Sequence, residues 1–231
     1  MNQTQDCQYK GPNAGFCSLC QVRDKSICAE LNSQEISEIS KTMAHRPVPE
    51  GKALISEGEP NGSLFVVVDG SFRLVRHLED GRRQVVGFLF QGDYLGIQPT
   101  EASFHTAEAL EPSMVCRFPH EYLDDTSRKY PGIKNRLLSR GQSEMQKAEE
   151  HIVLLGKKTA EERVLSFLEM VRAHGSSTED TVFLSMSRQD MADYLGLRLE
   201  TLSRTLAGLK KSGTLKEVSG RRVVFADAIS A

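Results

Sequence analysis

The order of apolar and polar residues divides the chain into a β-rich first half and a helical second half. Residues 45 to 120 contain short runs of β-branched and aromatic residues, among them SLFVVVDG and RQVVGFLF, and glycines interrupt these runs repeatedly. Short strands separated by turn signals are typical of a β-barrel or jelly roll. After Pro131 the apolar period becomes that of a helix. The pattern therefore predicts an α+β fold in which a β-roll precedes a set of helices.

A long helix is predicted after Pro131. Small or apolar residues recur there at alternating steps of three and four: Leu138, Gly141, Met145, Ala148, Ile152, Leu155 and Thr159. This heptad stripe is typical of a coiled-coil seam, and it predicts a homodimer with Met145, Ala148, Ile152 and Leu155 at the interface. An amphipathic helix packed on its own domain has a similar stripe, and Gly141 and Thr159 are poor seam residues. The pattern alone leaves both interpretations open.

The C-terminal third contains the signals of two crossed helices and a hairpin. Ser187 followed by Asp190 forms a capping box that starts one helix, and Gly196 provides the sharp turn before the next. The second helix is predicted from about residue 199 to residue 211, with three apolar residues buried: Leu202, Leu206 and Leu209. The segments TLKEV and RRVVF, joined by a Ser-Gly turn, predict a small β-hairpin. Residues 187 to 225 therefore have the pattern of a winged helix-turn-helix.

These patterns predict four segments. Residues 1–30 contain several cysteines and little apolar periodicity. Residues 31–128 are expected to form the β-roll, and residues 129–158 the coiled-coil dimerisation helix. Residues 159–231 are expected to form the winged helix-turn-helix.

The charge distribution indicates a surface that binds nucleic acid. The 231-residue chain has a formal net charge of −2, yet residues 197 to 222 carry seven basic side chains against two acidic ones. A basic patch is the electrostatic footprint of a surface that contacts phosphates, although a solvated charged face gives the same count. The second helix has the size that fits the major groove. The residues predicted to contact DNA are Arg188, Arg198, Glu200, Thr201, Ser203 and Arg204.

The sequence gives no support to a membrane protein, a secreted protein or an enzyme. No apolar run approaches the roughly 20 residues that span a bilayer, and the N-terminus lacks the basic and apolar regions of a secretory signal. We therefore expect a cytoplasmic protein with no membrane contact. Catalysis would need Cys116 as nucleophile with His105 or His120 as base, and no oxyanion or glycine-rich phosphate motif accompanies them. We expect no enzymatic activity.

The cysteines indicate metal or redox chemistry. The chain has five of them, an odd number that is not expected to form structural disulfides in a cytosolic protein. Cys17 and Cys20 form a C-x2-C pair, and Cys28 follows after seven residues. Four thiolates hold an iron–sulfur cluster or a structural zinc ion, so a fourth ligand must lie elsewhere. Cys116 and Cys7 are the candidates, although Cys116, in an apolar strand, is equally well explained as a small buried hydrophobe.

A family resemblance rests on the second helix. Its run Glu200-Thr-Leu-Ser203-Arg204 resembles the E-x-x-S-R motif of the FNR branch of the CRP/FNR transcription regulators. The order of β-roll, long helix and helix-turn-helix is similar to theirs over nearly the whole chain. The resemblance implies that the β-roll is a sensor domain like the cyclic-nucleotide-binding domain, and that Glu200, Ser203 and Arg204 read a TTGAT-type half-site. Because each chain has one reading helix, a palindromic operator on double-stranded DNA requires a homodimer.

The resemblance also extends to the cysteines. The S-M-V-C run that ends at Cys116 is similar to the distant ligand site of the oxygen-sensing FNR proteins, which implies a [4Fe–4S] cluster on Cys17, Cys20, Cys28 and Cys116. The spacing C-x2-C-x7-C differs from the enteric C-x2-C-x5-C and resembles an α-proteobacterial subgroup. Cys7 has no counterpart in the motif, and we interpret it as a free thiol.

The function implied by the resemblance is oxygen-responsive regulation of anaerobic metabolism. In the family, the intact cluster favours the dimer and DNA binding, and oxygen degrades it. A structural zinc ion or a thiol-redox switch is the alternative. The hairpin around Asp80-Gly81-Arg82 resembles a region that contacts RNA polymerase. Family members that bind cyclic nucleotides pair an arginine with the phosphate, and because no arginine lies between Arg83 and Arg117 we expect no cyclic nucleotide.

Overall fold

A computed structural model describes Cys17, residues 20–174 and residues 180–226 of the chain. Cys7 lies outside these residues. Eight strands follow one another in the first half: β1 (Ala44–Val48), β2 (Ala53–Ile55), β3 (Ser63–Asp69), β4 (Phe72–His77), β5 (Arg83–Leu89), β6 (Tyr94–Leu95), β7 (Thr106–Ala109) and β8 (Ser113–Pro119). They form the β-roll that the sequence predicts.

The β-roll consists of two antiparallel four-stranded sheets, in the orders β1-β8-β3-β6 and β2-β7-β4-β5. Successive side chains of a strand point to opposite faces of its sheet. Phe65 and Val115 therefore face the core between the two sheets, whereas Val66 and Cys116 face outward and pack beneath the N-terminal segment. This double cover explains why six of the seven residues of β3 are buried.

Three helices flank the strands of the roll: α1 (Ser33–Ile39), α2 (His120–Lys129) and α3 (Pro131–Lys157). The helix α2 was not predicted, because its sequence HEYLDDTSRK has few apolar residues at helical spacing. Pro131 occupies the first turn of α3, where its missing N–H removes no helical hydrogen bond. The 27 residues of α3 confirm the predicted long helix. Within the described ranges, no helix is both long enough and apolar enough to cross a membrane.

The C-terminal part contains α4 (Ala160–His174), β9 (Thr181–Phe183), α5 (Arg188–Leu195), α6 (Leu199–Lys211), β10 (Leu215–Ser219) and β11 (Arg222–Phe225). Its strands form a sheet in the order β10-β11-β9. The predicted crossed helices and hairpin are confirmed. The strand β9 was not predicted, because three residues are too few to show a period.

One apolar cluster continues from the β-roll into the C-terminal part. Phe88 of β5 contacts Phe167 of α4 and Tyr194 of α5, with ring centroids 5.6 and 5.3 Å apart. The buried leucines of α6 belong to the same cluster. The β-roll and the helix-turn-helix therefore share a core at this junction.

Candidate nucleic-acid interface and cysteine cavity

Local signals visible in the sequence position the two crossed helices. The Ser187 hydroxyl accepts from the backbone N–H of Asp190 at 3.1 Å, and the Asp190 carboxylate accepts from the N–H of Ser187 at 3.0 Å, so the predicted capping box starts α5. Gly196 ends α5 at φ 62° and ψ 36°, a left-handed conformation that favours glycine. The three buried leucines of α6 then pack this helix against α4 and α5.

The opposite side of α6 carries most of the predicted DNA contacts. Arg198, Glu200, Ser203 and Arg204 are exposed, and Thr201 is half-buried. Glu200 and Arg204 are four residues apart and so lie on the same face. An arginine there can bind guanine O6 and N7 together, and a carboxylate can accept from the amine of cytosine. Five of the six predicted residues therefore lie on α6 or at its N-cap.

Arg188 has a different position from the other five. It is the first residue of α5, and its guanidinium donates to the carbonyl of Gly220 in the turn between β10 and β11 at 3.1 Å. Gly220 adopts a φ of 52° in this turn. Arg188 therefore holds the hairpin wing against α5. Its contact with DNA remains a prediction.

The long helix α3 presents an apolar stripe to solvent. Met145 is 66% exposed and Ile152 is 70% exposed, and Ala148 between them is also exposed. Apolar side chains one heptad apart form a surface that a second helix can bury. Leu155 differs, because it packs partly against the core of its own helix-turn-helix. Three of the four predicted interface residues thus lie on an open stripe.

Four cysteines line one cavity. Cys17, Cys20 and Cys28 come from the N-terminal segment, and Cys116 comes from β8. The cavity is small, with a volume of about 20 Å³, and it is partly open to solvent. All four cysteines are free thiols. The structure therefore brings together the four residues that the sequence analysis assigned to one cluster, and we call this site the cysteine cavity.

Cys116 lies on the outer face of the β-roll. The strand β8 pairs with β1 and β3, so Cys116 stands opposite His45 on one side and Val66 on the other. The Cys116 side chain is 7% exposed, and its Sγ lies 3.6 Å from Sδ of Met43. Successive side chains of β8 point to opposite faces, so Cys116 points outward. On that face it is buried in an apolar cluster and also lies beside the other three cysteines.

Tight turns fold the segment between Cys20 and Cys28 over β8. Residues Arg23–Lys25 form a 3-10 turn. The Ser26 hydroxyl then donates to the carbonyl of Arg23 at 2.9 Å and accepts from the backbone N–H of Cys28 at 3.1 Å. These hydrogen bonds turn the seven-residue spacer, so that Cys28 comes back toward Cys17 and Cys20.

The thiols of the cysteine cavity influence each other's ionisation. Burial raises the pKa of Cys28 to about 11; the Ser26 hydrogen bond opposes this rise, and the charges of Cys17 and Cys20 add to it. Burial, and after it the charge of Cys20, raises the pKa of Cys17 to about 11. Burial and the other three thiolates likewise raise the pKa of Cys116. At neutral pH these three thiols are therefore protonated, and a cationic group is what would stabilise their thiolates.

The donor set fits the group that the family resemblance implies. Four thiols line one cavity, and four thiolates are the ligand number of a [4Fe–4S] cluster and also of a structural zinc ion. Over the part of the chain that the structure describes, no group of three or more His, Cys, Asp or Glu side chains is already arranged around one metal position.

Some residues that connect these sites were not predicted from the sequence. Arg163 of α4 donates to the carbonyl of Leu155 at 2.7 Å and to that of Leu195 at 3.0 Å, and so joins the end of α3 to the end of α5. Arg73 and Arg83 of the β-roll bind the carboxylate of Asp190 in α5. A side chain whose partners are distant in sequence leaves no periodic signal, so the pattern could not reveal them.

Two family models match the chain. The model of the cyclic nucleotide-binding domain matches residues 45–130, and the model of the Crp-like helix-turn-helix domain matches residues 162–228. The first match covers the β-roll and the second covers the crossed helices and the wing.

Whole proteins of the same organisation are also similar. The nitrogen fixation regulation protein FixK of Bradyrhizobium diazoefficiens is 36% identical over 90% of this chain and 90% of that protein. The transcriptional activator protein FnrL of Cereibacter sphaeroides is 31% identical over 91% of this chain and 88% of that protein. The solved structure of FixK2 from Bradyrhizobium japonicum superimposes with a TM-score of 0.74 at 31% identity, and the match covers 82% of this chain and 99% of that one. The chain therefore belongs to the CRP/FNR family of DNA-binding transcription regulators.

Proposed function

We propose that this protein is an oxygen-responsive regulator of anaerobic metabolism. It holds a [4Fe–4S] cluster on Cys17, Cys20, Cys28 and Cys116, and it binds TTGAT-type palindromes as a homodimer while the cluster is intact. The observation that carries the proposal is the cysteine cavity, in which the C-x2-C-x7-C segment covers the distant Cys116. The similarity to FnrL, named as a transcriptional activator, is consistent with this function.

The cysteine-bearing segment also contacts the long helix, which gives the cluster a route to the dimer. Ile133 of α3 packs in the same apolar cluster as Cys17 and Cys116. Arg136 of α3 donates to the carbonyl of Asp24, within the spacer between Cys20 and Cys28. When bound, the cluster would supply covalent links among four thiolates and so fix the segment in this position. Loss of those links would free the cysteine-bearing segment, against which the start of α3 packs.

The dimer rests on the apolar stripe of α3. Met145 and Ile152 would lose most of their exposed surface against a second copy of the helix, and burial of such side chains stabilises association by roughly 25 cal/mol per Å². A dimer presents two copies of α6, and each reads one half-site with Glu200, Ser203 and Arg204. We propose the hairpin tip around Asp80-Gly81-Arg82, whose residues are exposed, as the contact for RNA polymerase.

The proposal includes no cyclic nucleotide, although the β-roll matches a domain model of that name. The segment from residue 84 to residue 116 contains no arginine to pair with a buried phosphate. A titration with cyclic AMP is expected to leave the affinity for DNA unchanged. Tighter binding of DNA in its presence would contradict this part of the proposal.

Binding to DNA before and after exposure to air tests the proposal. The full-length chain, purified without oxygen, should be coloured and should bind a TTGAT palindrome much more tightly than random DNA, and air should abolish both properties. The salt concentration is held constant, because phosphate contacts make affinity depend on it. Cys28→Ala should remove the response to air. Cys7→Ala, outside the motif, is the matched control and should behave as the wild type. A colourless chain with one zinc ion and air-insensitive binding would contradict the cluster.

Sedimentation tests the dimer separately. Met145→Glu places a charge on the exposed stripe of α3 and should convert the anaerobic dimer to a monomer. Glu149→Gln, on the same helix outside the heptad positions, should not. A dimer that tolerates Met145→Glu would mean that α3 is not the interface.

A further inference from the structure

A cluster of polar side chains joins the β-roll to the helix-turn-helix. Arg73 of β4 and Arg83 of β5 donate to the same oxygen of Asp190, Oδ1, at 2.8 and 2.9 Å. Arg83 Nε also lies 3.0 Å from Oδ2 of Asp193, an ion pair without the alignment of a hydrogen bond. Gln84 Nε2 donates to the Asp193 carbonyl at 2.6 Å. We call these five residues the Asp190 cluster.

The Asp190 cluster differs in kind from the apolar contact beside it. Phe88 of the β-roll packs against Phe167 and Tyr194 of the C-terminal part. Hydrophobic contact scales with the area buried and depends less on direction than hydrogen bonding does, so these rings mainly hold the two parts together. Charge-assisted hydrogen bonds are short and directional. The Asp190 cluster therefore has the properties needed to fix the orientation of α5 on the roll.

Asp190 uses its two oxygens for two purposes. Oδ2 accepts from the N–H of Ser187 at 3.0 Å and from its hydroxyl at 2.6 Å, which completes the cap of α5. Oδ1 accepts from the two arginines. The carboxylate is 1% exposed, so its second oxygen depends on the β-roll for its partners. The start of α5 cannot rotate on the roll without breaking these bonds.

The orientation of α5 determines that of the reading helix. The two helices are joined by the short turn at Gly196, and the leucines of α6 are buried in the cluster that contains residues of α5. In this arrangement Glu200, Ser203 and Arg204 are exposed to solvent. The contacts of Asp190 thus hold α6 with its reading face turned outward.

We propose that Arg73 and Arg83 are positioning residues for DNA recognition. They set the direction of α6 relative to the β-roll, and in a dimer they thereby set the distance between the two reading helices. Half-site spacing on DNA is a geometric property of such a dimer. The inference rests on the homodimer of the proposed function, and it assigns the choice of operator spacing to residues that do not touch DNA.

Binding to three DNA duplexes tests the inference. One carries the palindrome at the spacing that the wild-type chain prefers, the second has its half-sites moved apart by one base pair, and the third has a single half-site. The full-length chain is used without oxygen at one salt concentration. The variants are Arg83→Gln and Gln84→Ala. Arg76→Gln is the matched control, because this β4 arginine is 53% exposed and pairs with Glu57, away from the cluster.

Arg83→Gln should bind the preferred palindrome about tenfold more weakly, which corresponds to about 1.4 kcal/mol. Its binding to the single half-site should be unchanged, so its preference between the two spacings falls by a similar factor. Gln84→Ala should change the preference in the same direction by a smaller factor. Arg76→Gln should match the wild type.

Three results would overturn the inference. A role in stability alone would reduce the folded fraction and weaken binding to all three duplexes by the same factor. A spacing preference that both variants retain would also overturn it, and would leave the proposed function intact. A wild-type chain with no spacing preference would contradict the proposed dimer and, with it, this inference. If Arg83→Gln fails to fold, Gln84→Ala decides, because it removes a neutral hydrogen bond and leaves no charge unpaired.

Discussion

Replacing Cys116 by alanine separates its packing role from its proposed role as a ligand. The side chain is 7% exposed, and its thiol is protonated at neutral pH because burial raises its pKa. As a buried hydrophobe it therefore contributes packing and no charge. Its loss removes a group about the size of a methylene, worth about 0.8 kcal/mol in transfer, and leaves a small cavity. Together these lower the free energy of unfolding by about 1–2 kcal/mol, which corresponds to a fall in Tm of about 2–8 °C.

The ligand role predicts a second effect that packing does not. Reconstituted without oxygen, Cys116→Ala should lose the iron, the sulfide and the visible absorbance of the wild type. Val115→Ala is the matched control, because the neighbouring side chain on β8 is fully buried on the other face, in the core of the roll. It should lower Tm by at least as much as Cys116→Ala and retain the iron.

Iron content and Tm measured on the same preparations decide between the two roles. If Cys116→Ala keeps the iron content of the wild type and loses only stability, Cys116 is a packing residue and the cluster assignment is wrong. If Val115→Ala also loses iron, the iron content follows stability, and the experiment gives no support to ligation by Cys116.

Three further predictions concern the helix-turn-helix. Arg204→Ala should weaken binding to the TTGAT palindrome by about 1–3 kcal/mol and leave the affinity for random DNA nearly unchanged in a titration at fixed salt. Gly196→Ala should lower the free energy of unfolding by about 1 kcal/mol or more, because the residue adopts φ 62° and a new Cβ would lie 3.2 Å from Cδ2 of Leu155. Gly208→Ala is the control, since this residue lies in the helix interior with no neighbouring atom within 4 Å among the described residues. It should raise the free energy of unfolding by about 0.5–1 kcal/mol. Burial opposes ionisation of Asp190, but Ser187 and the two arginines outweigh it, so the pKa of this carboxyl lies below its usual range. The stability difference between wild type and Asp190→Asn should therefore be constant from pH 8 to about pH 5 and shrink as the pH falls below about 4. A difference that changes between about pH 8 and 6 would contradict this assignment.

The parts of the molecule that the sequence predicts are those whose signals are local. The capping box at Ser187, the turn at Gly196 and the leucines of α6 lie within 25 residues, and each has one structural interpretation. The helix α2 and the strand β9 were missed for the opposite reason. The first has two buried side chains, and the second has three residues, so neither shows a period that distinguishes it from a loop.

Local spacing predicts three of the four residues of the cysteine cavity, and the fourth needed the family resemblance. The C-x2-C pair and Cys28 are close in the chain, and their spacing alone suggests a shared ligand. Cys116 is 88 residues after Cys28, and from the pattern of β8 it is equally well a hydrophobe; the family resemblance selected it. The structure shows why the residue pattern was ambiguous, since the outward face of β8 is both apolar and covered by the cysteine-bearing segment.

Asp190 shows the limit of local reasoning most clearly. Its position three residues after Ser187 predicts the cap of α5, and that prediction is confirmed. The same carboxylate binds Arg73 and Arg83, which precede it by 117 and 107 residues. In the sequence these arginines are ordinary charged positions of a strand pair. A residue that satisfies a local motif can therefore hide a long-range role, because the cap uses one carboxylate oxygen of Asp190 and the arginines use the other.

The cysteine cavity and the Asp190 cluster lie on different sheets of the β-roll. Cys116 belongs to the sheet of β1, β8, β3 and β6, whereas Arg73 and Arg83 belong to the sheet of β4 and β5. The helix α3 contacts both regions, since Ile133 packs with the cysteines near its start and His151 Nε2 donates a hydrogen bond to the Tyr194 carbonyl near its end, at 2.9 Å. On the proposed function, a change at the cysteine cavity alters the dimer through α3, whereas the bonds of Asp190 lie on the other sheet. On these two proposals, the cysteines control whether two reading helices come together, and the arginines control the direction in which each one points.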